Sequence, residues 1–170
     1  MPSKVLWGEG LFLRPQHFQQ QDRYHEARLN QTACALHPYC WGVRRVAVDL
    51  DALRSDVLRL DELSLLFPDG EVYRAPGGDT LPLPVRLAEL PHALQTVTFH
   101  AALPSLKTHG ENCAIGDEPG DAWQPHALHD MRYGRHDRET QDLYTQAADA
   151  PVTYLRKALR LVADGEALEA

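Results

Sequence analysis

The sequence lacks any long hydrophobic run. No window approaches the ~20 apolar residues that a membrane-spanning helix requires, and the first residues, Met1-Pro2-Ser3-Lys4, lack the apolar core of a signal peptide. Cysteine is also scarce, since Cys34, Cys40 and Cys113 are odd in number and form no Cys-x-x-Cys pair. This pattern argues against the disulfide framework of small secreted domains. We therefore expect a cytoplasmic protein with free thiols.

Basic residues are outnumbered. The 170 residues include 17 Lys and Arg against 24 Asp and Glu, a formal net charge of -7. Such a chain repels nucleic-acid phosphates and anionic membranes unless its basic residues form a patch, and here they are spread along the sequence. We expect no nucleic-acid binding and no direct membrane contact. The composition, 44% apolar and 24% charged, is that of a soluble globular domain.

Catalytic motifs are absent from the sequence. There is no G-x-S-x-G elbow and no P-loop, and Gly8 and Gly10 lack the third glycine of a dinucleotide-binding loop. The best metal candidate has one cysteine among histidines, whereas structural zinc sites usually begin with a close cysteine pair. Its residues are His109, Cys113, His126 and His129. Solvated loop histidines explain the same pattern, so we expect no catalytic residue, cofactor or metal.

One long helix is predicted near the N-terminus. Pro15 stands at a first helical position, and residues 16–36 contain neither glycine nor proline. The apolar face of this helix is narrow, and the residues that fall on one helical stripe are Phe18, His25, Leu29, Ala33 and Leu36. The preceding arm, residues 1–15, has neither strand alternation nor helical period.

After Pro38 the pattern changes to short runs rich in Val, Leu and Thr, which predict β-strands. One run alternates through Val46, Val48 and Leu50, and another covers residues 94–103. Residues 152–162 fit both helix and strand spacing. Residues 104–128 predict a long loop. The predicted fold class is mostly β with one N-terminal helix.

A hairpin is the strongest local signal. The Asp69-Gly70 dipeptide favours a two-residue turn. That turn would set Phe67 opposite Val72, and Leu66 opposite Tyr73, so that apolar side chains lie on both faces of the hairpin.

The arm concentrates apolar side chains without a period of its own. Burying Trp7, Phe12 and Phe18 at ~150–250 Å² each gains roughly 11–19 kcal/mol at ~25 cal/mol per Å². Ordering about ten residues costs roughly 10–20 kcal/mol in backbone entropy. Because these terms nearly cancel, the arm should become ordered where another surface or chain adds contacts. A terminal segment packed against its own core is the alternative.

Several motifs resemble the N-terminal signature of the TssK family, the baseplate subunits of bacterial type VI secretion systems. They are Leu6-Trp7, the run Gly-Leu-Phe-Leu-Arg-Pro-Gln-His-Phe-Gln-Gln from residue 10, and Trp41-Gly42. Leu65-Leu66-Phe67-Pro68-Asp69-Gly70 resembles the family's first hairpin. The resemblance covers residues 5–85, recurs near 94–103 and 152–162, and does not extend to the long loop.

The resemblance implies a structural adaptor without catalysis. Family members are homotrimers whose N-terminal β-sandwich shoulder, similar to that of tailed-phage receptor-binding proteins, docks onto the wedge subunits TssF and TssG. A helical neck and a C-terminal head that reaches the membrane complex follow. Residues 1–15 would be the arm, 16–165 the shoulder with its helix, and 166–170 the start of a following region whose neck and head are absent from this sequence.

Partner contacts are expected from the arm and the hairpin, because aromatic side chains dominate the centres of interfaces. The predicted contact residues are Trp7, Phe12, Leu13, Phe18, Phe67 and Tyr73. A receptor- or carbohydrate-binding module is the alternative, since the sandwich scaffold serves host recognition in phages and fold does not determine function. A metal-dependent hydrolase using residues 109–129 is a third hypothesis.

Overall fold

The computed structural model describes residues 2–90, 96–114, 131–145 and 148–164. In chain order its elements are α1 (Pro15–Leu36), β1 (Gly42–Val48), α2 (Leu50–Arg54), β2 (Val57–Leu58), β3 (Leu60–Leu66), β4 (Val72–Ala75), β5 (Val85–Arg86), β6 (Phe99–Ala102), β7 (Cys113–Ala114), β8 (Tyr133–Thr140), β9 (Ala150–Lys157) and β10 (Arg160–Ala163). The predicted mostly-β class with one long N-terminal helix is confirmed. Among the described helices, none has the length and hydropathy to cross a membrane.

The chain divides into two compact units. The first comprises Met1–Arg44 and Ser64–Tyr73, and the second Arg45–Leu63 and Arg74–Ala170. The first unit therefore contains the arm, α1 and the hairpin turn, and the second contains most of the strands.

The predicted boundaries of α1 are confirmed. Pro15 begins the helix because a first-turn residue needs no backbone N–H for the helical ladder. The helix ends at Leu36, where the N–H of His37 donates to the carbonyl of Ala33 at 2.8 Å. Pro38, which cannot continue a helix, follows.

Most of the apolar stripe of α1 is exposed. On this stripe, Phe18, Leu29 and Leu36 are 52%, 72% and 71% exposed, whereas Ala33 is half-buried. The half-buried residues of α1 are largely polar; they are His17, Gln21, Arg23, Tyr24, Ala27, Asn30, Ala33 and Cys34. No residue of α1 is fully buried. The periodicity thus identified an apolar stripe but not its surroundings.

The hairpin turn lies where predicted but is one residue longer. Strands β1, β3 and β4 form a three-stranded sheet in that order. At the turn, the N–H of Phe67 donates to the carbonyl of Glu71 at 2.9 Å, and the N–H of Gly70 donates to the carbonyl of Phe67 at 3.0 Å. Gly70 has a φ of 89°, in the left-handed region that three-residue hairpin loops use. Phe67 therefore lies opposite Glu71, not Val72.

The longer turn decides which side chains are buried. It places Leu65 opposite Tyr73, and both are buried, whereas Val72 on the other face is exposed. A shift of one residue moves a side chain to the opposite face of a strand, so the predicted partners on each face do not form.

The second unit is built from small sheets. Strand β2 pairs with β5, and β6 with β10, both antiparallel. Strand β7 is parallel to β8, which pairs antiparallel with β9 from Tyr133↔Lys157 to Thr140↔Ala150. The segment 152–162, which fitted helix and strand spacing, is part of β9 and β10. Strand β8 was not predicted, because its mainly polar sequence lacks apolar alternation.

Leu50, predicted to continue an alternating strand, instead begins α2. Asp49 caps this helix, since its Oδ1 accepts the N–H groups of Asp51 at 2.9 Å and Ala52 at 3.0 Å. Its other oxygen, Oδ2, accepts a hydrogen bond from Arg59. The Ala52 amide, followed by Arg59 and the Asp51 amide, holds the pKa of Asp49 below its ordinary value.

A buried carboxylate lies within the second unit. The buried apolar residues of the second unit are Leu60, Leu63, Ala75, Ala158, Leu159, Val162 and Ala163. Asp79 is also buried; its Oδ2 accepts the N–H of Arg74 at 2.9 Å and its Oδ1 the N–H of Lys157 at 3.1 Å. The ammonium of Lys157 is 3.5 Å from Oδ1. Asp79 therefore joins the turn after β4 to the end of β9 with its charge compensated.

Candidate interaction surface

The arm contacts the start of α1 through Trp7. The Trp7 ring centroid lies 6.2 Å from that of His17 and 6.3 Å from that of Phe18, with tilted planes. Tilted rings at such separations attract one another beyond the area they bury. A turn closed by the N–H of Leu11 and the carbonyl of Gly8 at 3.4 Å follows Trp7. The motif residues Trp7, His17 and Phe18 thus form one aromatic cluster.

His17 also stabilises the first turn of α1. The N–H of Arg14, the N-cap residue, donates to Nδ1 of His17 at 3.0 Å, and the N–H of His17 donates to the carbonyl of Arg14 at 3.0 Å. A side chain three positions after the N-cap that accepts the N-cap N–H is half of a capping box. This structural role of His17 was not predicted from the sequence. Its position three residues after the N-cap was the available signal.

Four of the six predicted contact residues lie together and open to solvent. Phe12 is 86% exposed, and Trp7, Leu13 and Phe18 are each about half exposed. The neighbouring Leu6 is 88% exposed. We call this set the arm–helix surface: Leu6, Trp7, Leu11, Phe12, Leu13 and Phe18. Contiguous exposed apolar side chains, unlike scattered ones, mark sites of interaction.

An open groove forms part of this surface. Its volume is about 450 Å³, and its lining residues are Leu13, Arg14, Pro15, Phe18, Gln19 and Asp22. Apolar walls with charged and polar groups beside them resemble the mixture found in protein interfaces, where an apolar centre is surrounded by a polar rim. The groove is therefore suited to receive an apolar side chain of another protein.

The two hairpin residues are placed differently. Phe67 is half-buried beside the turn, and Tyr73 is completely buried, at 0% exposed. A side chain without exposed surface cannot contact a partner while the fold is intact, so we assign Tyr73 to the core. Its predicted contact depended on a two-residue turn, and the longer turn sets it opposite the buried Leu65.

The hairpin turn is held by α1, within the first unit. Nδ2 of Asn30 donates to the carbonyl of Asp69 at 2.9 Å. A Cβ atom on Gly70 would lie 2.4 Å from Cγ of Asn30, closer than packed atoms allow. Glycine is therefore required at position 70 both for its positive φ and for this close approach. No sequence pattern pointed to Asn30.

Two thiols lie in contact beside Asn30. Sγ of Cys34 is 3.7 Å from Sγ of Cys40 and donates to Oδ1 of Asn30 at 3.4 Å. The hydrogen bond with Cys40, followed by burial, raises the pKa of the Cys34 thiol above its ordinary value. Both cysteines are free and half-buried.

Two of the four candidate metal residues lie in the part of the chain that the structure describes. His109 and Cys113 belong to the described chain, whereas His126 and His129 lie outside it, as do residues 115–128 of the predicted long loop. Among the residues that are described, no three His, Cys, Asp or Glu side chains are grouped to hold a metal ion.

Comparison with known proteins identifies relatives over nearly the whole chain. Residues 17–170 match the model of the family Bacterial Type VI secretion, VC_A0110, EvfL, ImpJ, VasE. The type VI secretion system baseplate component TssK1 of Pseudomonas aeruginosa is 31% identical over 167 residues, which are 98% of this chain and 35% of that protein. The chain thus spans about a third of the length of this curated relative.

Solved structures share the fold. A crystal structure of TssK matches with a TM-score of 0.80 at 28% identity, over 98% of this chain and 36% of that chain. A chain from the cryo-electron microscopy structure of the type VI secretion TssK-TssF-TssG baseplate subcomplex matches with a TM-score of 0.83 at 27% identity, over 98% of this chain and 52% of that chain.

Proposed function

Because the chain belongs to the bacterial type VI secretion family that includes VasE and TssK1, we propose that it is a structural adaptor domain of the secretion baseplate. It docks its protein onto the TssF and TssG wedge subunits and carries out no reaction. In the whole protein the domain belongs to a homotrimer, with further regions that reach the membrane complex. The exposed arm–helix surface is the observation on which this proposal depends.

The arm is suited to docking because it is held near both ends. Trp7 packs beside His17 and Phe18 at one end, and the Arg14–His17 hydrogen bonds fix the other. Between them Phe12 and Leu13 point their apolar surface to solvent. A binding segment whose ends are already ordered loses less conformational entropy on association, which improves affinity.

The partner assignment is supported by the relatives. One matching chain comes from a complex named for TssK, TssF and TssG, and another matching structure is that of a type VI secretion baseplate complex. The matched region covers nearly all of this chain in both. We therefore assign the exposed apolar surface of this chain to docking onto TssF and TssG.

Replacing Phe12 tests the proposal. Phe12→Ala should weaken binding to the co-expressed TssF–TssG wedge about 30-fold, the loss that corresponds to a hot-spot residue of roughly 2 kcal/mol. The melting temperature should hardly change, since Phe12 is 86% exposed. Binding is measured by titration with the purified wedge, and complex formation by light scattering on a sizing column.

The matched control is Leu143→Ala, which removes an equally exposed apolar side chain from the second unit, 88% exposed. It should leave wedge binding unchanged. Equal effects of the two variants, or a fall in melting temperature for Phe12→Ala alone, would show that the arm is not the docking surface.

A further inference from the structure

The two thiols of the first unit belong to different structural elements. Cys34 lies in the last turn of α1, and Cys40 follows the turn that leads to β1. Their sulfur atoms are 3.7 Å apart, which is van der Waals contact. A disulfide has an S–S distance of about 2.05 Å, so roughly 1.7 Å of approach, divided between two flexible side chains, separates contact from a bond.

We propose that Cys34 and Cys40 form a dithiol modification site that is oxidised to an intramolecular disulfide by a small disulfide such as glutathione disulfide. In the overall reaction, the two thiols and one glutathione disulfide give the protein disulfide and two molecules of glutathione. The site is separate from the arm–helix surface, and it does not depend on the proposed adaptor role.

The hydrogen bonds determine which sulfur reacts first. Asn30 uses its Nδ2 to donate to Asp69, so its Oδ1 is the end that faces Cys34 and can only accept. The Cys34 thiol is therefore the donor and keeps its proton. The raised pKa of Cys34 acts in the same direction. We therefore assign the first attack on the small disulfide to Cys40, the other sulfur of the contact.

The exchange then proceeds in two balanced steps. The Cys40 thiolate attacks one sulfur of glutathione disulfide, forms a mixed disulfide and releases one glutathione thiolate, which takes up a proton. Cys34 loses its proton to solvent, attacks Sγ of Cys40 and displaces the second glutathione. The 3.7 Å contact favours this second step, because the attacking sulfur is already beside its target.

Oxidation would alter the hydrogen bonds that hold the hairpin turn. In the disulfide, Cys34 has no S–H to donate, so Oδ1 of Asn30 loses its partner while Nδ2 still binds the carbonyl of Asp69. The bond would also tie the end of α1 to the segment before β1. The site thus connects the redox state to the C-terminal part of α1 and to the hairpin turn.

Peptide mapping tests the proposal on the intact chain. Arg28 and Arg44 are trypsin sites that enclose both cysteines in one peptide, residues 29–44, whereas Cys113 falls in another. After incubation of the folded protein with glutathione disulfide and blocking of free thiols with iodoacetamide, peptide 29–44 should lack two hydrogens and carry neither glutathione nor alkyl groups. Cys113, with no second thiol beside it, should be alkylated or glutathionylated.

Two variants test the order of reaction. Cys34→Ser should trap glutathione on Cys40, and Cys40→Ser should react with glutathione disulfide at least several-fold more slowly. Unfolding the wild-type chain in denaturant should lower the yield of the internal disulfide if the fold brings the thiols together. Peptide 29–44 that remains alkylated on both cysteines, or that carries two glutathiones, overturns the proposal, whatever happens at Cys113.

Discussion

Adjacent motif residues at the start of α1 have opposite roles. His17 is half-buried, accepts the N–H of Arg14 and stabilises the helix, whereas Phe18 beside it is half exposed. Successive helical positions are about 100° apart around the helix axis. His17 can therefore face the rest of the first unit while Phe18 faces solvent. The run Pro-Gln-His-Phe therefore combines a structural residue with a contact residue.

The strongest stabilising contribution from a single polar residue is expected at Asp79. Asp79→Ala should lower the free energy of unfolding by about 2–4 kcal/mol, because it removes a buried carboxylate that accepts two backbone N–H groups and lies 3.5 Å from the half-buried Lys157 ammonium. Urea unfolding followed by circular dichroism measures the change. Asp61→Ala, at an exposed position in β3, is the control and should change stability by less than about 0.5 kcal/mol. Similar losses in both variants would contradict the role assigned to Asp79.

At the scale of secondary-structure elements, the features predicted correctly are those that depend on residues close together in the sequence. Pro15 and Pro38 delimit α1, and Asp69-Gly70 locates the hairpin turn, because both depend on backbone chemistry within a few residues. The direction in which α1 faces depends on neighbours far along the chain, so periodicity alone does not determine it. Strand β8 was missed for a related reason, since it is held mainly by backbone pairing with β9 and buries little.

The candidate site shows the same division. The arm was identified from its apolar residues, which remain largely exposed even though Trp7 packs beside His17 and Phe18. The fate of Tyr73 depended on one residue of turn length, which the Asp-Gly dipeptide does not fix. The contacts of Asn30 with the turn and with Cys34 had no signal, because they join segments 39 and 4 residues apart without a shared motif.

The contact between α1 and the hairpin turn can be tested at Gly70. Gly70→Ala should destabilise the protein by at least about 1–2 kcal/mol, the cost of a left-handed conformation in a residue with a Cβ atom, and the 2.4 Å approach to Asn30 should add to it. The double variant with Asn30→Ala should recover only part of the loss that comes from the contact, because Cβ of residue 30, at 2.7 Å, remains. Gly77→Ala, where a Cβ meets nothing within 4 Å, should be nearly neutral. Equal effects at both glycines would refute the close approach.

For the whole molecule, carboxyl groups with lowered pKa values make low pH the direction of instability. The pKa values of Asp49, Asp137 and Asp142 are all lowered, chiefly by the Ala52 amide, the Arg135 side chain and the Thr145 amide. A carboxyl whose pKa is lower in the folded than in the unfolded chain stabilises the fold above its unfolded pKa. That contribution is lost as the pH falls through the folded value.

The free energy of unfolding should therefore stay level from neutral pH down to about pH 5 and fall below about pH 4, near the ordinary pKa of aspartate. Urea titrations at a series of pH values measure this profile. Asp49→Asn keeps a good N-cap side chain for α2 but removes one titrating group, so its acid slope should be shallower. A steeper or unchanged slope would show that Asp49 does not contribute to the acid sensitivity.

The outward stripe of α1 also bears on how a cell could keep this protein in balance with its partners. A copy that has not been assembled displays Leu29 and Leu36 to water, and exposed apolar surface is what chaperones and proteases use to select their substrates. If assembly covers the stripe, surplus copies remain recognisable and assembled ones do not. The exposed stripe of α1 would then mark unassembled subunits. It would limit the amount of this protein in the cell to the number of positions available in the assembly.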